Sequence, residues 1–183
     1  LHSPQEKLPD NLYLIAHVRG FLLFVQPIQK GQGAVSLKSI PEGILTLTLL
    51  DGNYVPHSER LVFVRQNHST WQLASDKASY GSRLPISLNI HLSDLSGQPI
   101  KGDFSLSITD NYAIRCDSTA DNILSNLLLT SDIKGYIETP GYYFKDNSQR
   151  LKACLDNLMI TQGWSRFNVE DILKEPVSYT HLR

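Results

Sequence analysis

Hydrophobic and polar side chains alternate along two stretches in the middle of the chain. The alternating apolar positions are Ile86, Leu88, Ile90 and Leu92 in the first stretch and Phe104, Leu106 and Ile108 in the second. A period of two predicts β-strands that have one buried and one solvated face. The connection at residues 94–102 contains glycine and proline, which favour turns. Because two half-buried strands are not stable alone, this region predicts a second covering sheet and therefore a β-sandwich.

Short apolar runs separated by turn residues fill the part of the chain before this region. The runs that predict strands are residues 12–18, 21–25, 34–37, 45–49 and 61–64. Asp51, Gly52 and Asn53 predict a hairpin turn before the last of them. A complete sandwich has about seven strands and this region supplies about five. We therefore expect residues 1–68 to form a β-sandwich domain that is truncated at its N-terminus.

The periodicity changes after residue 110, where apolar residues recur at helical spacing. The spacing predicts helical segments near residues 120–129, 149–162 and 169–174. Residues 118–121 resemble a capping box, and residues 146–148 offer an N-cap for the second helix. The second domain, residues 69–176, is therefore predicted to be a β-sandwich with a helical insertion and C-terminal helices.

Composition and charge exclude some classes of function. The net charge of −1 argues against nucleic-acid binding, which requires a basic face. The six histidines are scattered without metal-ligand spacing, and no phosphate-binding loop follows a strand. We expect no catalytic residues, no metal and no cofactor. Cys154 lies on the apolar face of a predicted helix and is interpreted as a small buried side chain, with a disulfide to Cys116 as the alternative.

Aromatic residues near the predicted helices form the one candidate surface for a ligand or partner. They are Tyr136, Tyr142, Tyr143, Phe144 and Trp164. Aromatic faces stack on sugars and peptides, so the group is a candidate binding platform. The alternative is that these rings attach the helices to the sheet, with the tyrosine hydroxyls in water.

Four segments of the chain resemble macroglobulin (MG) domains. They are residues 59–64 (ERLVFV), the stretch that begins at Asp76, residues 121–144 and residues 158–166. They are similar to parts of large cell-envelope proteins of Gram-negative bacteria and, more distantly, to bacterial α2-macroglobulins. The envelope proteins carry macroglobulin-type domains of the MG2 kind ahead of carboxypeptidase-regulatory-like and TonB-receptor plug-like domains. The resemblance covers most of residues 12–174 and implies two consecutive macroglobulin-like β-sandwiches in the periplasm or at the outer membrane.

The leading hypothesis is a non-enzymatic structural and interaction module of a large cell-envelope protein, within a TonB-linked uptake system. The resemblance implies that its partners are other domains of the parent chain and envelope proteins. One alternative is a fragment of a protease trap with a bait near residues 114–129, although the helical pattern at 123–128 indicates a packed segment. The Cys-Gly-Glu-Gln thioester of such traps is absent from the sequence. A further alternative is a glycan-binding module that uses the aromatic residues.

The end of the chain has a different character from the rest. Residues 177–183 (VSYTHLR) resemble a translated sequencing adapter, and we interpret them as a non-native tail. They receive no weight in the predicted fold. No apolar run in the sequence has the length of a membrane span.

Overall fold

The fold is rich in β-structure and divides into two compact units. The computed structural model describes residues 11–28, 34–66, 69–103, 105–106, 108–110, 112–115, 117–162, 167 and 169–174. Unit 1 contains the described residues within Leu1–Arg65 and Asp117–Arg183, and unit 2 those within Gln66–Cys116. Two antiparallel sheets and a few short helices make up the regular structure. The prediction of a mainly β fold is confirmed at this level.

A four-stranded antiparallel sheet forms the centre of unit 1. Its strands are β1 (Leu12–Val18), β2 (Phe21–Ile28), β3 (Gly43–Asp51) and β4 (Pro56–Val64), in the order β2-β1-β3-β4. Arg19 and Gly20 both have positive φ, which a two-residue hairpin between β1 and β2 requires. The Asp51 carboxylate accepts hydrogen bonds from the backbone N–H groups of Asn53 (2.8 Å) and Val55 (3.0 Å), which fixes the predicted β3–β4 hairpin.

Each face of this sheet has its own hydrophobic cluster. Ala16, Leu45 and Val64 are buried on one face, where Ile40 from the connection between β2 and β3 packs against them. The described part of that connection, which includes the predicted strand at 34–37, is not in a strand. Its apolar side chains lie on the face of the sheet instead of extending its edge, and this satisfies the same hydrophobic pattern without a fifth strand.

Five helical segments follow among the described residues of unit 1. They are α1 (Ile123–Ser125), a π-helix (Asn126–Thr130), a 3-10 helix (Pro140–Phe144), α2 (Gln149–Thr161) and α3 (Val169–Lys174). The bounds of α2 and α3 agree with the predicted segments, and Ser148 caps α2 as expected. The first segment is capped by Asn122 in a capping box with Ser125, and not by residues 118–121. Among the described residues, no helix is both long and apolar enough to cross a membrane.

These helices pack on the second face of the unit 1 sheet. Ile44 and Leu61 of the sheet share one cluster with Leu129, Leu155 and Met159. At the other end of the same face, residues of α3 pack against β1 and β3 in a further cluster. This grouping differs from the predicted one, which assigned all three helical segments to the domain at residues 69–176. Amphipathic spacing predicts that a helix buries one side, but it does not specify the surface that covers it.

The side chains that the first helical segment buries differ from those predicted. The sequence pattern places Ile123, Leu124, Leu127 and Leu128 on a packed face. The first three are exposed, Ile123 by 76%, and Leu128 is half-buried. Ser125 and Leu129 are buried instead. Ile123 and Leu124 precede the π-helix and are exposed because α1 turns its Ser125 side towards the core. Within the π-helix the extra residue in the turn rotates the side chains relative to a regular α-helix, and Leu129 is the side chain that is buried.

Unit 2 is organised by a two-stranded antiparallel ribbon, β5 (Ser69–Ser75) and β6 (Leu88–Asp94). The loop between them is closed by Asp76, whose carboxylate accepts hydrogen bonds from the Tyr80 hydroxyl and from the Ser87 N–H at 3.0 Å. This arrangement gives a structural reason for the Asp-Lys-x-x-Tyr pattern at residues 76–80. The turn after β6 is held in the same way by Asp94, which accepts from the N–H groups of Ser96 and Gln98, both at 2.9 Å.

One face of the ribbon is apolar and open to solvent. Trp71 lies opposite Leu92 and Leu73 opposite Ile90, and Trp71 is 68% exposed. The described residues of the predicted partner strand, 105–106 and 108–110, are not in a strand, and Leu106 is exposed. Alternation determines which way side chains point, but a strand also requires an edge to pair with.

Candidate functional site

The described aromatic residues among those selected from the sequence divide into half-buried and exposed groups. Tyr143 and Phe144 pack against the core beneath the helices, and Phe144 meets Phe63 edge-on with ring centroids 5.8 Å apart. Tyr142 contacts Tyr143 edge-on at 5.7 Å. Burial is the largest cause of the raised pKa of Tyr143. Tyr143 and Phe144 therefore attach the 3-10 helix to the sheet.

Arg65, which follows β4, holds this aromatic turn in place. Its Nη2 donates to the Tyr143 carbonyl at 2.7 Å, and its Nη1 donates to the Asp146 carbonyl at 2.8 Å and to Oδ1 of Asn147. The guanidinium carbon also lies 5.8 Å from the centroid of the Phe144 ring, within cation–π range. One side chain thus ties the end of the sheet to the 3-10 helix and to the start of α2.

Tyr136 is different, because 84% of its surface is exposed. It stands at a cleft of about 420 Å³ within unit 1. The residues that line the cleft come from three short segments: Asp117, Ala120, Asp121, Thr130, Gly135, Tyr136, Ile137, Thr139 and Pro140. Trp164, the remaining aromatic residue selected from the sequence, lies outside the described residues.

Local backbone interactions fix the walls of the cleft. Asp117 accepts hydrogen bonds on Oδ1 from the Thr119 N–H (2.8 Å) and the Thr119 hydroxyl (2.7 Å). The Gly141 N–H donates to the Thr119 carbonyl at 3.0 Å, which joins this loop to the 3-10 helix. A Cβ at position 141 would lie only 2.5 Å from the Ala120 carbonyl oxygen. Glycine is therefore required where the two backbones meet.

Two carboxylates in the cleft carry negative charge at neutral pH. A hydrogen bond from the Thr119 hydroxyl is the largest cause that lowers the pKa of Asp117, and the charge of Lys145 lowers it further. A hydrogen bond from the Ser125 hydroxyl at 2.5 Å is the largest cause of the lowered pKa of Asp121. Both side chains are consequently ionised acceptors.

The arrangement is suited to binding a ligand that donates hydrogen bonds. The cleft offers two carboxylates, the hydroxyls of Thr130 and Thr139, and the exposed ring of Tyr136. Among the described residues, no group of three or more histidine, cysteine or acidic side chains is arranged to hold a metal ion. The two aspartates were not selected from the sequence. The Asp-Ser-Thr and Thr-Pro-Gly triplets at 117–119 and 139–141 were the available signals, since both favour tight turns.

A buried histidine lies away from the cleft, on the helix-covered face of the sheet. His17 in β1 has no exposed surface, and neither ring nitrogen has a hydrogen-bond partner among the described residues. Its ring meets Phe167 edge-on at 6.1 Å. Desolvation lowers the pKa of His17 from 6.5 to about 4, so the imidazole is neutral at pH 7.

The cysteines contribute no site within the described part of the chain. Cys154 in α2 is half-buried and forms no disulfide with a described residue. Cys116 lies outside the described residues, so its pairing stays a prediction.

Comparison of the chain with known proteins identifies no similar protein. No family model, no curated protein and no solved structure matches it.

Proposed function

We propose that the chain is a non-enzymatic structural and interaction module of a large cell-envelope protein, built from macroglobulin-like β-sandwiches. Its partners in this proposal are other domains of the parent protein and envelope proteins of a TonB-linked uptake system. The sequence resemblance supports the place in the envelope, and the two antiparallel sheets are compatible with a β-rich module of this kind.

The observation that carries the proposal is the open apolar face of the β5–β6 ribbon. Trp71, Leu73 and Ile90 are all exposed on this face, whereas the opposite face carries Thr70 and Gln72. Contiguous exposed apolar side chains are typical of surfaces that contact other protein, since burying them releases ordered water. In the proposed module this face is covered by a neighbouring sheet.

Site-specific photo-cross-linking of the parent protein in its native cells tests this role. A cross-linking residue at position 73 should form adducts with another domain of the parent chain or with an envelope protein. The same residue at position 72, on the polar face, should form far fewer. Equal cross-linking at both positions would contradict the proposed contact surface.

Fractionation of the native protein tests the location separately. We expect the parent protein to be recovered with the cell envelope, in the outer-membrane or periplasmic fraction. Recovery as a free cytoplasmic protein would refute the location, while the contact surface would still be judged by its cross-links.

The exposure of Ile123, Leu124 and Leu127 favours a second candidate, the protease trap. A bait segment must be accessible to proteases, and these side chains, together with Ile114 and Arg115, are open to solvent. Limited proteolysis by several proteases of different specificity tests this function. Rapid cleavage confined to residues 114–129, followed by a large conformational change, would favour the trap over the interaction module. Cleavage at similar rates in other loops would exclude it.

A further inference from the structure

The cleft beside Tyr136 has the size and rigidity of a ligand-binding site. Its volume of about 420 Å³ lies within the range of small-molecule pockets, which is roughly 300–1,000 Å³. Its walls are held by the Asp117 turn, by the contact of Gly141 with the 117–120 loop, and by Gly135 with a φ of 100°. A site whose backbone is already fixed loses little entropy when a ligand binds.

The polar groups of the cleft determine what kind of ligand fits. Asp117 and Asp121 can only accept hydrogen bonds when ionised, so the ligand must supply donors. The Thr139 hydroxyl can donate and accept, whereas the Thr130 hydroxyl already donates to Oδ2 of Asp121 at 3.3 Å and offers the ligand only an acceptor. A ligand with several hydroxyl groups matches this set, because each hydroxyl donates one bond and accepts others.

The exposed ring of Tyr136 points to the same class of ligand independently. The Gln162 Nε2 donates to the Tyr136 carbonyl at 3.5 Å, and Gly135 precedes it in a left-handed conformation, so the backbone that carries the ring is held. A tyrosine ring offers an apolar face beside a polar rim. Sugar rings have the complementary character, with C–H groups on a face and hydroxyls around the edge.

We propose that this cleft binds a neutral saccharide, with Tyr136 stacked on a sugar ring and Asp117 and Asp121 accepting from its hydroxyls. A cationic side chain would use the same carboxylates and ring. Two features favour the neutral ligand. Lys145 acts electrostatically on Asp117 and offsets part of its charge. Asp121 already accepts hydrogen bonds from Ser125, Asn126 and Thr130. The cleft and the ribbon face consist of different residues, so the saccharide proposal is tested separately from the proposed envelope function.

Titration of the full chain with maltotriose, cellotriose and chitotriose, followed by backbone NMR resonances, tests the proposal. At about 10 mM sugar we expect at least one of the three to shift resonances at residues 117–121 and 135–140. Tyr136→Ala should weaken this binding by about tenfold, through loss of the stacked ring. Asp117→Asn keeps an acceptor for Thr119 and should weaken it similarly. Tyr112→Ala removes a fully exposed tyrosine of unit 2 and should leave affinity unchanged.

Each outcome of the titration decides the proposal. Binding that is lost in the Tyr136 and Asp117 variants, with their spectra otherwise native, supports it. The absence of shifts with all three sugars overturns it, and so does sugar binding that Tyr136→Ala leaves intact. A trilysine peptide is titrated in parallel. If trilysine shifts the cleft resonances and the sugars do not, the site recognises cations and the saccharide proposal is wrong.

Discussion

Acidification should destabilise unit 1 through the buried side chain of His17. Its ring is buried between the sheet and the helices without a hydrogen-bond partner among the described residues, and its pKa falls to about 4 from 6.5. The unfolded chain binds a proton near pH 6.5, but the folded chain binds it only near pH 4. Between these values the unfolded state holds more protons, so stability falls as the pH falls. Above pH 6.5 the ring is mostly neutral in both the folded and the unfolded state, so unit 1 keeps the stability that it loses on acidification.

The size of the effect follows from the two pKa values of His17. Between pH 7 and pH 5 the linkage relation gives a loss of about 2 kcal/mol in the free energy of unfolding. The aspartates with lowered pKa values act at more acidic pH, at and below their ordinary value of 3.8, so their effect does not overlap with this window. The matched control is His17→Leu, which fills a similar volume and cannot titrate. At pH 7 its stability should be close to that of the native chain or higher, because it removes two buried nitrogens that have no hydrogen-bond partner in the described part of the chain.

Denaturant unfolding of the full chain at pH 7, 6 and 5 measures this prediction. The transition should be followed through resonances of β1 and β3, so that it reports on unit 1 alone. We expect the native chain to lose about 2 kcal/mol more than His17→Leu over this range. Equal losses in the two proteins would show that His17 titrates like an exposed histidine, and the burial argument would be refuted.

Three further substitutions test the packing of unit 1. Gly141→Ala should lower the free energy of unfolding by about 1–3 kcal/mol, because its Cβ would lie 2.5 Å from a backbone carbonyl oxygen. Gly52→Ala should be tolerated, and thermal unfolding measures both variants. Met159→Ala should lower the free energy of unfolding by about 2–5 kcal/mol, because Met159 is buried. Ile160→Ala, at the exposed neighbouring position, should change it by no more than about 0.5 kcal/mol. Similar losses for both variants would contradict the assigned face of α2. Arg65→Met should lower the free energy of unfolding by about 1–2 kcal/mol, because it removes the hydrogen bonds to the Tyr143 and Asp146 carbonyls. Amide exchange in the 3-10 helix should become faster. Unchanged exchange there would show that Arg65 does not hold this helix in place.

Elements whose pattern reflects local geometry were predictable from the sequence. The leucine–threonine alternation at residues 45–49 identified β3, because strand side chains alternate between faces whatever the partner is. Ser148 and the apolar spacing after it located α2, since capping and helical periodicity involve only nearby residues. The hairpin at Asp51 was predictable for the same reason: its side chain bonds to backbone groups two and four residues away.

The tertiary structure decided which surfaces these elements cover. The apolar spacing at residues 149–162 predicted an amphipathic helix, but only the fold shows that Leu155 and Met159 pack against Ile44 and Leu61 of the first sheet. Hydrophobic burial is non-directional, so the pattern of an amphipathic helix is equally compatible with any apolar face. The π-helix is a further case, because it buries Leu129 and leaves Leu127 exposed although the helical spacing of the sequence favours Leu127.

The candidate site shows the same division. The sequence identified Tyr136 as one of several aromatic residues but could not separate it from Tyr143, which is part of the core. Aromatic side chains serve packing and binding equally well, and only their exposure distinguishes the two uses. Asp117 and Asp121 were not predicted because each also fills a local role, accepting hydrogen bonds from Thr119 or Ser125. The cleft arises only when the fold brings together three segments, and distances between residues far apart in sequence are determined by tertiary packing.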